Sequence, residues 1–415
     1  MDNADLIVRN ARLRSDRDHT IDIAVGGGHI LQIGPRLQAT APVEIDAEGN
    51  LATPSFVNPH MHMCKVWTSA MMSDEALEAY QRAGMTGAAA AIALASKVKQ
   101  SYHASWIEKN ARRAVAYAAL YGTTHIRAFA DVDTKAKLEA VKALLAVREE
   151  FRGIVELQVV AFAQDGIVKE PGADALMQEA MRLGADVVGG IPWIEKTPVD
   201  MKAHVAFCFD LAVSTGKDVS MLLDDAGDAN LRTLEMMATE AIKRGWQGRA
   251  LAHHCRAMAL YPDSYLTELL PLLRQAGVAL VTNPHTGPLH ARIPELLAAG
   301  ITVCLGQDDI SDAYYPFGRN NMLEVAFLAS HLLWMMSRDD METLYDMITT
   351  RPARALRLAD VTLAPGAAAN FVVLDLPSVL EALRFHDRPR AVISHGRVVD
   401  LDRMGAIAAA AVAQP

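Results

Sequence analysis

The sequence predicts an α/β protein: a (β/α)8 TIM-type barrel joined to a small composite β-sandwich made from the two ends of the chain. Three observations carry that prediction. Eight short apolar runs alternate with segments of helical period. The runs are apolar throughout instead of alternating, as the strands of a parallel sheet are when helices cover its outer face. Both ends of the chain are rich in strand-like runs, so they can pair with each other.

The eight runs are Pro54–His60, Thr124–Ala130, Val155–Ala163, Asp186–Ile191, Asp218–Leu223, Ala250–His253, Ala279–Thr282 and Ile301–Gly306. Between them, Lys135–Val147 shows the helical spacing, with apolar residues at Leu138, Val141, Leu144, Leu145 and Val147. Gly184 and Gly277 end helices before the next strand. An open doubly wound sheet is the alternative arrangement of the same units. At the N-terminus, Asp5–Leu13, Ile21–Val25 and His29–Ile33 read as strands. At the C-terminus, Gly366–Asp375, Pro389–Ser394 and Arg397–Asp400 do. The expected division is residues 1–53 with 362–415 as the sandwich, and 54–361 as the barrel.

Composition narrows the function. The net charge of −9 argues against nucleic-acid binding driven by phosphate contacts. Acidic Asp2 and Asp5 stand where a signal peptide carries bases. The apolar stretch around Gly87–Ala95 is too short to span a bilayer. The four cysteines, Cys64, Cys208, Cys255 and Cys304, form no CxxC pair and read as reduced thiols. A cytoplasmic homo-oligomer is expected, with a small-molecule substrate and no nucleic-acid or membrane partner.

In a (β/α)8 barrel the active site lies at the C-terminal ends of the strands. The polar residues there are His60 and His62, Gln164, Asp224 and Asp225, His253 and His254, and Asp308 and Asp309. His60 and His62 stand at i and i+2 of an extended segment and project to one side, so two imidazoles can approach one metal ion. A pair of surface histidines is the alternative. One carboxylate of Asp308-Asp309 can bind the metal and hold the attacking water. The competing role is a helix N-cap, which Asp312 could fill. Asp224-Asp225 has a solvated acidic turn as its alternative. Of His253 and His254, one should face the barrel mouth and the other the outside or the neighbouring strand. The Gln164 carboxamide both donates and accepts, which suits a lactam or amidine edge.

Three segments carry a family resemblance: Pro54–His62, Gln158–Gln164, and Leu305–Gly318 running on to Leu323. The first resembles the strand-1 motif of the amidohydrolase superfamily. The other two resemble its cytosine deaminase group, and the flanking strands are similar to that group's small β-sandwich. The resemblance implies that His60, His62 and Asp308 ligate one divalent metal ion, zinc or iron. It implies that Asp308 helps deprotonate the attacking water, that Asp225 shuttles a proton, and that His254 orients the water or the tetrahedral intermediate. Gln164, Asp309, Lys65 and Tyr314 are expected at the substrate.

The chain departs from the group's pattern at three places. Leu222 stands where the group has its strand-5 metal histidine. Phe129 stands where many members have a histidine after strand 2. Cys64 stands where the relatives have Asp after the His-x-His motif, although Lys65 is kept. Asp224 and His254 are the candidate replacement ligands. The implied activity is hydrolysis of a C–N bond in a small cyclic amidine or amide, with release of ammonia or an alkylamine. Opening of a lactam, urea or imide ring uses the same constellation. Leu222 and Phe129 motivate a third reading, a ligand-binding member that has lost catalysis.

Overall fold

The computed structural model describes residues 4–72, 78, 81–82, 84–359 and 362–415. The first three residues and the expected domain boundary at 361 therefore lie outside the described set.

The N-terminal strands are β1 (Leu6–Leu13), β2 (Asp16–Gly26), β3 (His29–Gly34) and β4 (Val43–Asp46), paired in the order β3-β2-β1-β4. The chain then crosses through β5 (Ala52–Pro54) into the barrel. The barrel strands are β6 (Phe56–Met61), β7 (Thr123–Asp131), β8 (Glu156–Phe162), β9 (Val187–Gly190), β10 (Asp218–Leu223), β11 (Ala250–His254), β12 (Ala279–Thr282) and β13 (Val303–Leu305). They pair in chain order, each parallel to the next. The C-terminal strands β14 (Phe371–Val373), β15 (Ala391–Ser394) and β16 (Arg397–Val398) form a second small sheet with β5. Leu6, Val8, Ile23 and Val25 from one sheet pack with Phe371, Val373 and Ile393 from the other in a core of their own. The two ends of the chain thus make one sandwich.

The eight strands close into a barrel at a single place. Met61 and Asp308 form a parallel bridge between the end of β6 and the residues after β13. Asp308 N–H donates to His60 C=O at 3.0 Å, and His62 N–H donates to Asp308 C=O at 2.8 Å. An open doubly wound sheet is excluded.

One helix starts later than its sequence period suggests, at Glu139 and not Lys135. Asp133 accounts for the shift. Its Oδ1 accepts from Lys135 N and Ala136 N at 2.9 and 2.8 Å, which holds residues 133–137 in a turn.

The barrel interior contains a fully buried cation. Arg127 on β7 donates to Gln158 Oε1 on β8 at 2.7 and 3.0 Å and to Ser220 Oγ on β10 at 3.0 Å. Burial pulls its pKa down to about 10, which still leaves it charged at neutral pH. Above the strands, the helix Ala88–Ala95 and the turn Ser96–Ser101 reach over the mouth. Lys99 fastens this cover to the barrel. Its Nζ lies 2.8 Å from Asp133, 2.9 Å from Asp165 and 3.6 Å from Asp131. Among the described residues no helix is long and apolar enough to cross a membrane. All four cysteines are buried and free.

Gly122 precedes β7 with φ +82°, and a Cβ there would lie 2.8 Å from Val372 Cγ1 and 3.0 Å from Pro389 Cγ. Left-handed strain and overpacking act together at this joint between barrel and sandwich. Gly122→Ala is therefore expected to destabilise by about 2–4 kcal/mol. A urea midpoint equal to that of the wild type would refute this account of the joint.

Candidate metal centre and catalytic cavity

Four buried side chains converge where the barrel closes. His60, His62, His254 and Asp308 each offer a ligand atom, and these atoms lie within 4.8 Å of one another. Asp308 Oδ1 is the focus, at 2.8 Å from His60 Nε2 and 3.8 Å from both His62 Nε2 and His254 Nε2. The backbone is bent to achieve this. His254 has φ 66° and Asp308 φ 71°, in the left-handed region that costs a non-glycine residue energy. The bend after β11 turns His254 inward beside His253, although successive residues of a strand normally point to opposite faces.

His253 lies in the barrel beneath His60, not on its outside. Its Nδ1 is 2.8 Å from His60 Nδ1, and its Nε2 is 3.1 Å from Ser220 Oγ. When His60 Nδ1–H donates to His253 Nδ1, His253 Nε2–H donates to Ser220, and His60 Nε2 is left as a free acceptor. That is the support a metal-binding imidazole needs. Asn283 lies 3.4 Å from His254 Nδ1. Its Nδ2 faces the ring, so the carboxamide would have to flip to accept Nδ1–H and free His254 Nε2 in the same way.

The donor set fits a divalent cation. Burial pushes His62 and His254 well below the ordinary histidine range, so they stand neutral, which is the form that ligates. Burial opposes the charge on Asp308, and the pull of the neighbouring imidazoles, His254 first, holds this carboxyl well below the usual range; the hydrogen bond from His60 belongs to the tautomer with the proton on Nε2. Three imidazoles and one carboxylate around one point make a borderline-soft site suited to zinc or iron.

The two expected replacements separate here. Asp224 turns away from the cavity. Its carboxylate takes hydrogen bonds from Thr233 N and Oγ1, both at 2.7 Å, and from Tyr261 Oη at 2.6 Å. It holds the start of the helix Thr233–Lys243 and reaches no ligand atom of the cluster. Only His254 of the two joins. Leu222 borders the cavity, and Phe129 packs under the cluster with its ring centroid 4.5 Å from that of His60.

Asp225 does face the cavity. Its Oδ1 takes a 2.6 Å hydrogen bond from Arg256, and its Oδ2 lies 4.0 Å from His254 Nε2. Burial raises its pKa to about 6, with Arg256 limiting the rise. Arg256 was not singled out from sequence, because an arginine two residues past a strand end looks like any solvated cation. It also donates to Thr286 Oγ1, and Thr286 donates to Asp308 Oδ2 at 2.7 Å.

The far side carries the remaining expected residues. Lys65 Nζ donates to Gln164 Oε1, and Gln164 Nε2 lies 3.5 Å from Tyr314 Oη. Burial and the neighbouring charge of Asp308 raise Asp309 well above the carboxylate range, and the adjoining Asp312 adds to the effect. The shift favours the neutral form of Asp309. Cys64 accepts from Asp131 N at 3.4 Å, in a layer behind the cavity. One wall of the cavity is apolar, formed by Met85, Ala88, Ile92, Ile191 and Leu222.

A parallel barrel with a His-x-His strand end, a strand-8 aspartate and a flanking sandwich defines a class of hydrolytic enzymes. Residues 43–400 match the amidohydrolase family, and the chain belongs to that family. It is 32% identical over 405 residues to the N-isopropylammelide isopropyl amidohydrolase of Pseudomonas sp. (strain ADP), covering 96% of this chain and 98% of that one. Among solved structures, 5-methylcytosine deaminase from Klebsiella pneumoniae with 5-fluorocytosine superposes with a TM-score of 0.86 at 33% identity, covering 95% of this chain and 97% of the other. N-isopropylammelide isopropylaminohydrolase from Burkholderia multivorans gives a TM-score of 0.80 at 30% identity, covering 96% and 98%.

The geometry predicts about one divalent ion per chain. His254→Ala and Asp308→Asn should each lower the metal content measured by elemental analysis. Asp224→Asn should leave it unchanged while lowering stability by about 1–3 kcal/mol, through its lost helix-start hydrogen bonds. Metal loss in the Asp224 variant with retention in the His254 variant would reverse the assignment.

A second prediction concerns Leu222. Its place on the cavity wall leaves an imidazole there facing the cluster, so Leu222→His should hold metal more tightly against a chelator. Unchanged retention in a normally folded variant rules this out.

Proposed function

We propose that this protein hydrolyses a C–N bond of a small cyclic amidine or amide and releases ammonia or an alkylamine. His60, His62, His254 and Asp308 would hold one divalent ion. The observation that carries the reading is the pair of carboxyls, Asp225 and Asp308, flanking His254 across a small cavity from Gln164.

A bound divalent ion supplies Lewis-acid polarisation and a water of lowered pKa. Asp308, kept ionised and steadied by Thr286, accepts a proton from the attacking water. Where His60, His62 and Asp308 hold the ion without it, His254 Nε2–H would instead orient the developing tetrahedral centre. Asp225, ionised at the outset, takes one proton of the attacking water and passes it to the ring nitrogen, and the second proton, accepted by Asp308, goes to the departing amine. Arg256 pins one oxygen of Asp225, so the other faces His254 and the substrate. Lys65 occupies the oxygen of the Gln164 carboxamide, which turns its N–H group toward the ring's acceptor edge. Neutral Asp309 can donate a further hydrogen bond. The relatives named above are a deaminase and two enzymes acting on N-isopropylammelide, which favours loss of an exocyclic amine over ring opening.

Metal-loaded protein should release ammonia or alkylamine from one or more aminopyrimidines, aminotriazines or aminopterins. Product formed only by opening of cyclic ureas or imides would replace this reading, and no product at all would favour a binding protein.

Asp225→Asn removes the shuttle but keeps the shape, so turnover should fall about 10²–10⁴-fold with metal content retained. In the wild type, the ionised fraction of Asp225 shrinks as pH falls through about 6, so activity should decline along the same limb. That limb should be absent from the residual activity of the variant. Near-normal turnover in the variant would move the proton path elsewhere.

A further inference from the structure

We infer that Trp193 is a specificity-determining residue whose indole N–H binds an exocyclic oxygen on the far edge of the substrate ring. The inference rests on the proposed C–N hydrolysis for where the ring sits. Trp193 borders the same cavity as His62, Asp308 and Gln164. It is 6% exposed, and its Nε1 is buried with no acceptor among the described residues. A buried donor without a partner is costly, and tryptophan N–H groups usually find one. The cavity is the open space beside this ring.

The position fits the role. Trp193 follows β9, and β9 stands across the eight-stranded barrel from β13, after which Asp308 comes. Gln164 follows β8, next to β9. A ring whose reacting carbon faces Asp308 therefore turns its opposite edge to Gln164 and Trp193. Around the indole the wall is apolar, with Ile191, Leu222 and Ile92. The substrate edge there pairs one oxygen acceptor with apolar ring surface.

The indole is held by its backbone. Ile191 N–H donates to His204 Nε2 at 3.1 Å, and His204 Nδ1 donates to Glu195 Oε1 at 2.8 Å. Glu195 also accepts from Ile167 N at 2.7 Å and Lys169 N at 2.8 Å. These bonds bracket Trp193 on both sides. Gly190 is needed for the approach, since a Cβ there would lie 2.8 Å from both Cys208 Sγ and His204 Nε2. A donor fixed in this way is oriented before the ligand arrives, so little entropy is lost on binding.

The test is a substrate-by-residue cycle on the metal-loaded full chain. Cytosine carries the exocyclic oxygen, and 4-aminopyrimidine lacks it. Binding of each is measured by calorimetry, with amine release recorded separately. Wild type should prefer the oxo ring. Trp193→Phe keeps the apolar wall but removes the donor, and should weaken the oxo ring about 5- to 30-fold while moving the other less than about 2-fold. Trp193→His restores a ring N–H and should recover part of the preference; a thermal melt checks both variants for folding. Equal weakening of both rings, no weakening of either, or no preference in the wild type overturns the inference. Binding that depends on the Trp193 donor without amine release would sink the proposed hydrolysis and leave the subsite standing. Amine release and binding untouched by Trp193→Phe would do the reverse.

Discussion

Among the described residues the barrel closes through one backbone bridge, Met61 to Asp308, and three of the four residues of the candidate metal centre, His60, His62 and Asp308, lie at it. The hydrogen bonds that join the first and last strands are made by His60, His62 and Asp308 themselves. Closure and ligand placement are one event. Strand β13 is only three residues long, and Gly306 follows it because a Cβ there would lie 2.6 Å from Asn283 Oδ1 and 2.8 Å from His60 Cβ. Asp308 then takes a left-handed conformation to reach the bridge. Strain at this seam is offset by the packing of the whole barrel, as functional strain generally must be.

Around the seam, environment sorts chemically alike groups into different states. Burial opposes ionisation of all three: the neighbouring histidines hold the Asp308 carboxyl below the usual range, Arg256 limits the rise of Asp225 to about 6, and the carboxyls of Asp308 and Asp312 push Asp309 further up. In the proposed reaction the three would serve as a base, a shuttle and a hydrogen-bond donor. The histidines supporting the cluster are tied through His253 and Ser220 to buried Arg127, so the barrel floor sets the orientation of His60.

Leu222 and Phe129, which stand where the resembling group carries histidines, change the character of the cavity. Leu222 adds to an apolar wall with Ile191, Met85 and Ile92, while Phe129 fills the space beneath His60 and His62. His254 completes the four-residue cluster in their absence. The result is a cavity with one polar side and one greasy side, a shape that selects an amphipathic ring.

The amino-acid sequence by itself determined the β/α alternation, the positions of the eight barrel strands to within about two residues, and the local pairing of His60 with His62. These follow from periodicity and from the two-residue repeat of an extended chain, which are properties of neighbouring residues. Strand-end position alone could not decide between Asp224 and Asp225, or between His253 and His254, because each pair differs by one position; only the family resemblance pointed to Asp225 and His254. At these strand ends, left-handed turns at Asp224 and His254 override the simple alternation. Nor could the sequence single out Arg256 or Trp193. An arginine or tryptophan acquires meaning only from what surrounds it: a buried carboxylate for one, a cavity and no protein acceptor for the other. Those surroundings come from strands distant in sequence, and only closure of the barrel brings them together.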